Sequence, residues 1–377
     1  MNIRITCSSC GLEIPYQSGN WRCPRCSSTL KIDYVVSESG FRKEKLSGRS
    51  LTMWRYRELI PIRSENIISL GEGYTKIVKA GFLEEPHVNF KLDYLSPSGS
   101  FKDRGSSVAI THAKEIGAEA IVEDSSGNAG SSISLYSSAA GLKSRIYVPK
   151  DAPENKRDFM RLFGAEVMET QSREKAFQLA VSFLSEGEYY VGHLWNPFYI
   201  EGMKTMAFEC VEQLNWSSPD YVITPVASGT LLLGLYKGFN EFMDLGLTDK
   251  VPVIIGVQAE GYAPIYESFT GVKMKWAGKS LLADALRVCN PPRLREIVDA
   301  LRRSGGKMIV VNDGEILESL KIGFKKGFFI EPSSATAIAA YKRFLEEGFF
   351  RKGEKILIPL TGSGFKAMDK LRTLKLT

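Results

Sequence analysis

Ala120-Ile121-Val122-Glu123-Asp124-Ser125-Ser126-Gly127-Asn128-Ala129-Gly130 is the stretch that decides the fold. A short apolar strand pattern runs into a small, polar, glycine-bearing turn, and Gly130–Ala140 then reads as an apolar helix. The design returns twice. Tyr221-Val222-Ile223 leads into Pro225-Val226-Ala227-Ser228-Gly229-Thr230-Leu231, and Lys355-Ile356-Leu357-Ile358 leads into Leu360-Thr361-Gly362-Ser363-Gly364-Phe365. Arg145-Ile146-Tyr147-Val148 and Val253-Ile254-Ile255-Gly256-Val257 add two more buried-strand patterns. Helix-length segments at Asn155–Phe163, Arg173–Leu184, Glu201–Leu214 and Thr336–Glu347 fill the gaps. Such alternation predicts an α/β protein whose mostly parallel sheets carry helices on both faces, a three-layer arrangement.

Sheets of this kind bind ligands in the loops at the carboxyl ends of their strands. Small residues there free backbone N–H groups at a helix N-terminus, where a carboxylate or phosphate can sit. One such loop is only a capped turn; three on one chain favour a ligand with several anionic or polar ends.

The chain opens differently. Four of its six cysteines form Cys7-x2-Cys10 and Cys23-x2-Cys26, separated by twelve residues. Two such pairs can set four thiolates tetrahedrally around Zn²⁺, with Gly11 and Pro24 suited to the tight turns. Two disulfides are disfavoured in a reducing compartment, and a redox pair would normally come singly beside a strand–helix unit. Four protein ligands leave no open position, so the expected zinc ribbon holds structure and performs no chemistry. For Cys210 and Cys289, which stand alone, buried packing is the expectation.

A length of 377 residues allows two or three domains. With 44% hydrophobic and 24% charged residues the composition is that of a globular protein, which excludes disorder and a small disulfide scaffold. The apolar stretch Val222–Leu235 is interrupted by Pro225, Ser228, Gly229 and Thr230, so no span of roughly 20 apolar residues arises. Polar residues and two cysteines by position 10 do not match a signal peptide. These features predict a cytoplasmic protein with no membrane partner. The net charge of +6 is spread along the chain, and Lys325-Lys326 reads as a solvated helix face. No basic stretch is interleaved with aromatics, so a small molecule is the expected partner and nucleic acid is not. A zinc-ribbon binding protein is the competing non-enzyme reading.

Ser96-Pro97-Ser98-Gly99-Ser100-Phe101-Lys102-Asp103-Arg104-Gly105 supplies a reactive candidate. A lysine directly after an aromatic, in a turn about to become a helix, can be partly desolvated and so made a nucleophile or base. Its competing reading is a surface lysine paired with Asp103. Asp103 and Arg104 are expected to form an ion pair that fixes the loop, and His87, His112 and His193 match no motif.

Ser100–Gly105 followed by Ser125-Ser126-Gly127-Asn128 resembles the pyridoxal-phosphate enzymes of the tryptophan synthase β-subunit fold (fold type II), and among them the threonine synthases. The resemblance covers about Gly71 to Phe365. Leu70-Gly71-Glu72-Gly73-Tyr74-Thr75, Asn196–Thr205, Glu331-Pro332-Ser333-Ser334-Ala335 and Leu360–Gly364 are similar to further family segments, in the family's order. The resemblance implies that Lys102 forms the Schiff base with pyridoxal 5'-phosphate and shuttles protons. It implies that Asn128 meets the cofactor's phenolic oxygen, and that Ser125, Ser126, Gly127, Asn128 and Ala129 receive the substrate carboxylate. Ala227, Ser228, Gly229, Thr230 and Leu231 would wrap the cofactor phosphate. Thr361 would face the pyridine nitrogen, a role Ser363 could equally fill.

For a threonine synthase the amino-acid substrate is O-phospho-L-homoserine, which with water gives L-threonine and phosphate. Lys156, Arg157 and Arg161 on one helix are possible partners of the substrate phosphate, or an exposed charged face. Two departures bear on the substrate. The family often has Gly-Asn-x-Gly-Asn where this chain has Ala227–Leu231, and Ser-Thr-Gly-Asn-Thr where it has Ser125–Ala129. Relatives with a similar cradle catalyse β-elimination (threonine or serine dehydratases) or β-replacement (cysteine or cysteate synthases). The expected domains are a zinc ribbon over 1–36, a linker over 37–54, a large cofactor-binding α/β domain from 55–104 and 206–377, and a smaller one over 105–205. The cofactor is expected in the cleft between the two α/β domains. The resemblance also implies a homodimer.

Overall fold

The computed structural model describes residues 2–81, 83, 87–125 and 127–374. The chain begins with β1 (Arg4–Cys7), β2 (Glu13–Ile14) and β3 (Leu30–Asp33), then passes β4 (Ile77–Lys79) and β5 (His87–Lys91). Next come α1 (Lys102–Glu115), β6 (Ala120–Glu123), α2 (Asn128–Ala139), β7 (Lys143–Pro149), α3 (Glu154–Leu162), β8 (Glu166–Thr170), α4 (Arg173–Ser182) and β9 (Glu188–Tyr190). The remainder runs through α5 (Pro197–Met203), α6 (Thr205–Gln213), β10 (Tyr221–Pro225), α7 (Thr230–Asp244), β11 (Val253–Ala259), α8 (Pro264–Thr270) and α9 (Leu294–Arg303). It closes with β12 (Lys307–Val311), α10 (Asp313–Lys325), α11 (Pro332–Glu346), β13 (Lys355–Pro359) and α12 (Met368–Thr373).

Two compact units emerge. The first comprises Met1–Tyr74 with Ser96–Thr205, the second Thr75–Leu95 with Met206–Thr377. In the first unit, β1 pairs antiparallel with β2 and β3 to make the ribbon. A second sheet, ordered β8-β7-β6-β9, is parallel throughout. The second unit holds a six-stranded sheet, β12-β11-β10-β13-β5-β4, in which only the β4–β5 pair is antiparallel. Its central strands bury successive residues, as strands covered on both faces must. Ile223, Ile255, Val257, Ile356 and Ile358 belong to that core.

Local signals start several helices. Asn196 accepts from the Phe198 N–H at 2.9 Å with Pro197 in the first turn of α5, and Asn312 with Glu315 forms a capping box on α10. The helix expected over 201–214 is two helices. At the junction the Thr205 hydroxyl donates to the Gly202 carbonyl at 2.7 Å and so competes with the backbone ladder.

The domain boundaries differ from those read in the sequence. Residues 55–74 and 96–104 group with 105–205, because Met53 N–H donates to Glu72 O at 2.9 Å and Trp54 Nε1 reaches Ser107 on α1 at 2.9 Å. Nor is 37–54 a free linker. Phe41, Leu46 and Met53 are buried, and the buried Arg55 guanidinium collects the carbonyls of Leu46, Arg49 and Ser50. The ribbon too is anchored in its unit: Trp21 meets Phe177, Tyr190 and Trp195 edge-on, and the Tyr16 hydroxyl donates to Glu115 at 3.0 Å. Of the two lone cysteines, Cys210 is buried as expected. Cys289, in the coil ahead of α9, is exposed.

Candidate functional site

Lys102 is the first residue of α1, and its turn is held from several sides. Fully buried Asp103 accepts from the Ser98 N–H at 2.7 Å and from the Ser132 hydroxyl at 2.5 Å. Arg104, also fully buried, donates to the Thr205 hydroxyl at 3.0 Å. These bonds to Ser98, Ser132 and Thr205 fix the loop. The Tyr199 hydroxyl of α5 donates to the Lys102 carbonyl at 3.0 Å. Helices α1 and α5 touch through glycines. A Cβ on Gly105 would come 2.4 Å from the Tyr199 ring, and one on Gly202 would come 2.0 Å from the Arg104 carbonyl oxygen. The Lys102 amine lies 4.5 Å from the Phe101 ring centre and 5.8 Å from that of Tyr199, and the residue is half-buried.

In the same unit, Ser125, Gly127, Asn128 and Ala129 lie at the start of α2, all in the turn expected to take a carboxylate. Ser126 lies outside the described residues. The turn is wrapped tightly on its helix, since a Cβ on Gly130 would lie 2.2 Å from the Ser125 carbonyl oxygen.

Sequence reading missed the acids beside this turn. Glu123 is fully buried; its two oxygens take His193 Nδ1 at 2.8 Å and the His193 N–H at 3.2 Å. Burial pushes Glu123 up to about 8 and holds His193 well below the usual imidazole range. The neighbouring Asp124 accepts from the Tyr190 hydroxyl at 2.7 Å and is pushed up to about 6 by burial and by Glu123. The one available signal was two consecutive acids ending a strand pattern. His112, by contrast, stacks on Phe198 with ring centres 3.6 Å apart, and burial lowers it to about 3, so it packs as a neutral ring.

Glu72 of the Gly-Glu-Gly segment is a buried carboxylate saturated with donors. Trp54 Nε1, the Ser69 hydroxyl, the Leu70 N–H and the Tyr136 hydroxyl reach it at 3.0, 3.2, 2.8 and 2.7 Å. Its role is to order the chain near α1 and α2. Glu201 and Lys204, three residues apart, are buried partners, and the Lys204 amine also meets the Tyr34 hydroxyl. Arg157 pairs with Glu169 at 2.6 Å, Arg161 with Asp158 at 3.0 Å, and Lys156 is buried, so this helix face is largely occupied by its own acids.

The second unit carries the other residues. Ala227, Ser228, Gly229, Thr230 and Leu231 form the turn from β10 into α7. Gly229 has φ +79°, and a Cβ there would meet the Ile297 side chain at 2.1 Å. Only glycine fits. Ser228 and Thr230 are buried with hydroxyls 3.2 Å apart at the start of a fifteen-residue helix, whose first N–H groups have no partner within the helix. After β13, the Ser334 hydroxyl accepts from Thr361 N and Gly362 N at 3.0 and 2.8 Å and lies 3.0 Å from Thr361 Oγ1. Ser363 instead caps a short turn, accepting from the Phe365 N–H at 3.3 Å. Glu331 sits against Gly362, where a Cβ would come 2.3 Å from its carboxylate oxygen. This donor set of glycine turn, paired hydroxyls and helix N-terminus fits a phosphate group.

The cysteine sulfurs of positions 7, 10, 23 and 26 all lie within 4.8 Å of one another, with Cys7–Cys26 at 3.4 Å and Cys10–Cys23 at 3.6 Å. Tetrahedral sulfurs about 2.3 Å from one Zn²⁺ sit about 3.8 Å apart, so the cluster has the right size. The Ser9 and Cys10 N–H groups donate to Cys7 Sγ at 3.4 Å each.

Comparison with known proteins agrees with this geometry. Residues 68–362 match the family described as pyridoxal-phosphate dependent enzyme. A threonine synthase of Methanocaldococcus jannaschii is 35% identical over 96% of this chain and 93% of its own length. One of Methanosarcina acetivorans is 30% identical over 95% of this chain and 91% of its own. Among solved structures, a fungal L-serine ammonia-lyase from Rhizomucor miehei superposes with TM-score 0.69 at 20% identity, covering 80% of this chain and 98% of its own. That likeness speaks for the fold. The β-subunit-like α/β fold of type II is therefore the fold of this chain, and the chain belongs to the pyridoxal-phosphate dependent enzymes, on the branch of the threonine synthases.

Proposed function

We propose that this enzyme is a pyridoxal-phosphate lyase that converts O-phospho-L-homoserine and water to L-threonine and phosphate. The observation that carries the reading is likeness to named threonine synthases along nearly the whole chain, 96% of it in one case, with Lys102 seated at a helix start. Bound pyridoxal phosphate supplies an electron sink that acidifies the substrate's carbon-bound hydrogens. Lys102 would hold the cofactor through its Nζ, and the same nitrogen would carry protons between substrate carbons. Ser125, Ser126, Gly127 and Ala129 orient the substrate carboxylate with N–H and hydroxyl donors, and Asn128 takes the phenolic oxygen.

The turn Ala227–Leu231 holds the cofactor phosphate through backbone N–H groups and the Ser228 and Thr230 hydroxyls. Thr361 is assigned to the pyridine nitrogen over Ser363. Ser334, already accepting from two backbone N–H groups, has its one hydrogen within reach of both Thr361 Oγ1 and the Gly362 carbonyl, so its accepting capacity is used and Thr361 can turn its own hydrogen towards that nitrogen. A neutral hydroxyl there keeps the nitrogen unprotonated and the sink moderate.

Zn²⁺ is assigned to Cys7, Cys10, Cys23 and Cys26 as a structural ion. Free thiols in such pairs suit a cytoplasmic protein, and no helix among the described residues is long and apolar enough to cross a membrane. A homodimer is the assembly assigned by the family resemblance.

A specific feature keeps a second reading in view. The phosphate turn departs from the common threonine synthase pattern, as related eliminating and replacing enzymes also can. The test is incubation with phosphohomoserine, with phosphoserine plus sulfide or sulfite, and with threonine. Phosphate and threonine from the first support the proposal; inert phosphohomoserine beside rapid turnover of another substrate rejects it.

A further inference from the structure

Glu123 ends β6 with its carboxylate fully buried, and His193, seventy residues on, follows β9, the strand paired with β6. His193 supplies a donor to each carboxylate oxygen, a side-chain nitrogen at 2.8 Å and its own backbone N–H at 3.2 Å. The imidazole is 13% exposed. Its ring centre lies 6.0 Å from that of Tyr199, and the Lys102 amine lies 5.8 Å from the same ring. The charge of Lys102 is felt by both Glu123 and His193. A buried carboxyl with a fixed hydrogen-bonded partner is thus linked, through the Tyr199 ring that both His193 and the Lys102 amine approach, to the amine assigned the chemistry, and the mechanism above gives it no task.

We propose that Glu123, fixed by His193, is a positioning residue that sets how readily the Lys102 nitrogen keeps its proton. The inference rests on the pyridoxal-phosphate reading of Lys102. Its physical basis is a charge that is present or absent according to pH. Burial pushes Glu123 up to about 8, so near neutrality it is an uncharged acid and at higher pH an anion whose charge acts on Lys102. An anion there favours the cationic form of the Lys102 nitrogen.

The other groups facing this pair do not reproduce that switch. Asp124, raised to about 6, ionises earlier; Tyr190 and Tyr199 are held well above the ordinary phenol range; the Arg173 guanidinium is a further charge acting on His193. Glutamine keeps the shape of Glu123 and removes its charge.

The experiment is a pH titration of the visible absorption band of the holoenzyme, without substrate, between about pH 6 and 10. Wild type, Glu123→Gln, Glu123→Asp and His193→Gln are compared. Glu123→Gln is expected to stay coloured with its midpoint moved down by about one pH unit. Glu123→Asp should recover part of that shift. His193→Gln, which leaves the carboxylate anion less supported, should move the midpoint in the same direction by less, and it serves if the glutamine variant does not fold. Superimposable curves for wild type and a folded, coloured Glu123→Gln would overturn this inference alone. A wild type that stays colourless with added pyridoxal phosphate would overturn both it and the reading beneath it.

Discussion

The turn after β6 and the turn after β10 use one backbone device in two electrostatic settings. Each is a glycine-bearing loop that opens a helix and presents N–H groups to an anion. Around the first, in one unit, stand Lys102, Glu123, Asp124 and His193, all able to gain or lose a proton. Around the second, in the other unit, stand the neutral hydroxyls of Ser228, Thr230, Ser334 and Thr361. A site that must move protons needs groups whose charge can change, whereas a site that only grips a phosphate is better served by fixed dipoles. On the proposed function, the comparison makes one turn the seat of the chemistry and the other a holding site.

The comparison can be broken most easily at Gly229. Valine there would force a side chain into Ile297 at a φ that disfavours it, so cofactor affinity should fall at least about tenfold and stability by about 1–3 kcal/mol. Equilibrium dialysis with pyridoxal phosphate and urea melts read both. Affinity unchanged from wild type would mean that this turn does not hold the phosphate.

Removal of the proposed zinc probes the unit that carries Lys102 and Glu123, into which the ribbon is packed. Chelation, or Cys23→Ser, should destabilise the unit by a few kcal/mol, seen as a lowered melting temperature and early proteolysis near the ribbon. A smaller loss is expected from Ser334→Ala, which removes the acceptor of two backbone N–H groups. Cofactor affinity should drop severalfold, with about 1–2 kcal/mol lost from the fold.

The smallest effect is a pH trend. Glu123 binds its proton more tightly folded than unfolded, so its contribution to stability falls as pH rises from the unfolded value of about 4.5 towards about 8. Asp124 completes its change by about 6. His112 and His193, depressed when folded, lower stability only as pH drops below about 6.5. Between about pH 6.5 and 8 the Glu123 trend therefore stands alone among these groups. Wild-type apoprotein should lose melting temperature across that window, and Glu123→Gln should lose less. Parallel curves would show that Glu123 is not a raised acid.

The loops were readable in sequence because their chemistry is local: small residues, glycine and hydroxyls within a few positions of a strand pattern. The strands beside them were readable where β-branched residues ran unbroken. β5 was not, since His87, Asn89 and Lys91 hide a core-facing Val88 and Phe90. The Glu123–His193 pair was beyond reach because sheet neighbours β6 and β9 create it across seventy residues. Glu72 likewise draws donors from positions 54, 69, 70 and 136, which only the folded chain assembles. In 37–54, polar neighbours masked Phe41 and Leu46, so a packed segment read as a linker.

The most direct measurement is the mass of one peptide. Holoenzyme reduced with borohydride and digested should carry a pyridoxyl group on the peptide containing Lys102 and on no other. An adduct on a different lysine, or none on a protein that binds the cofactor, would contradict the account.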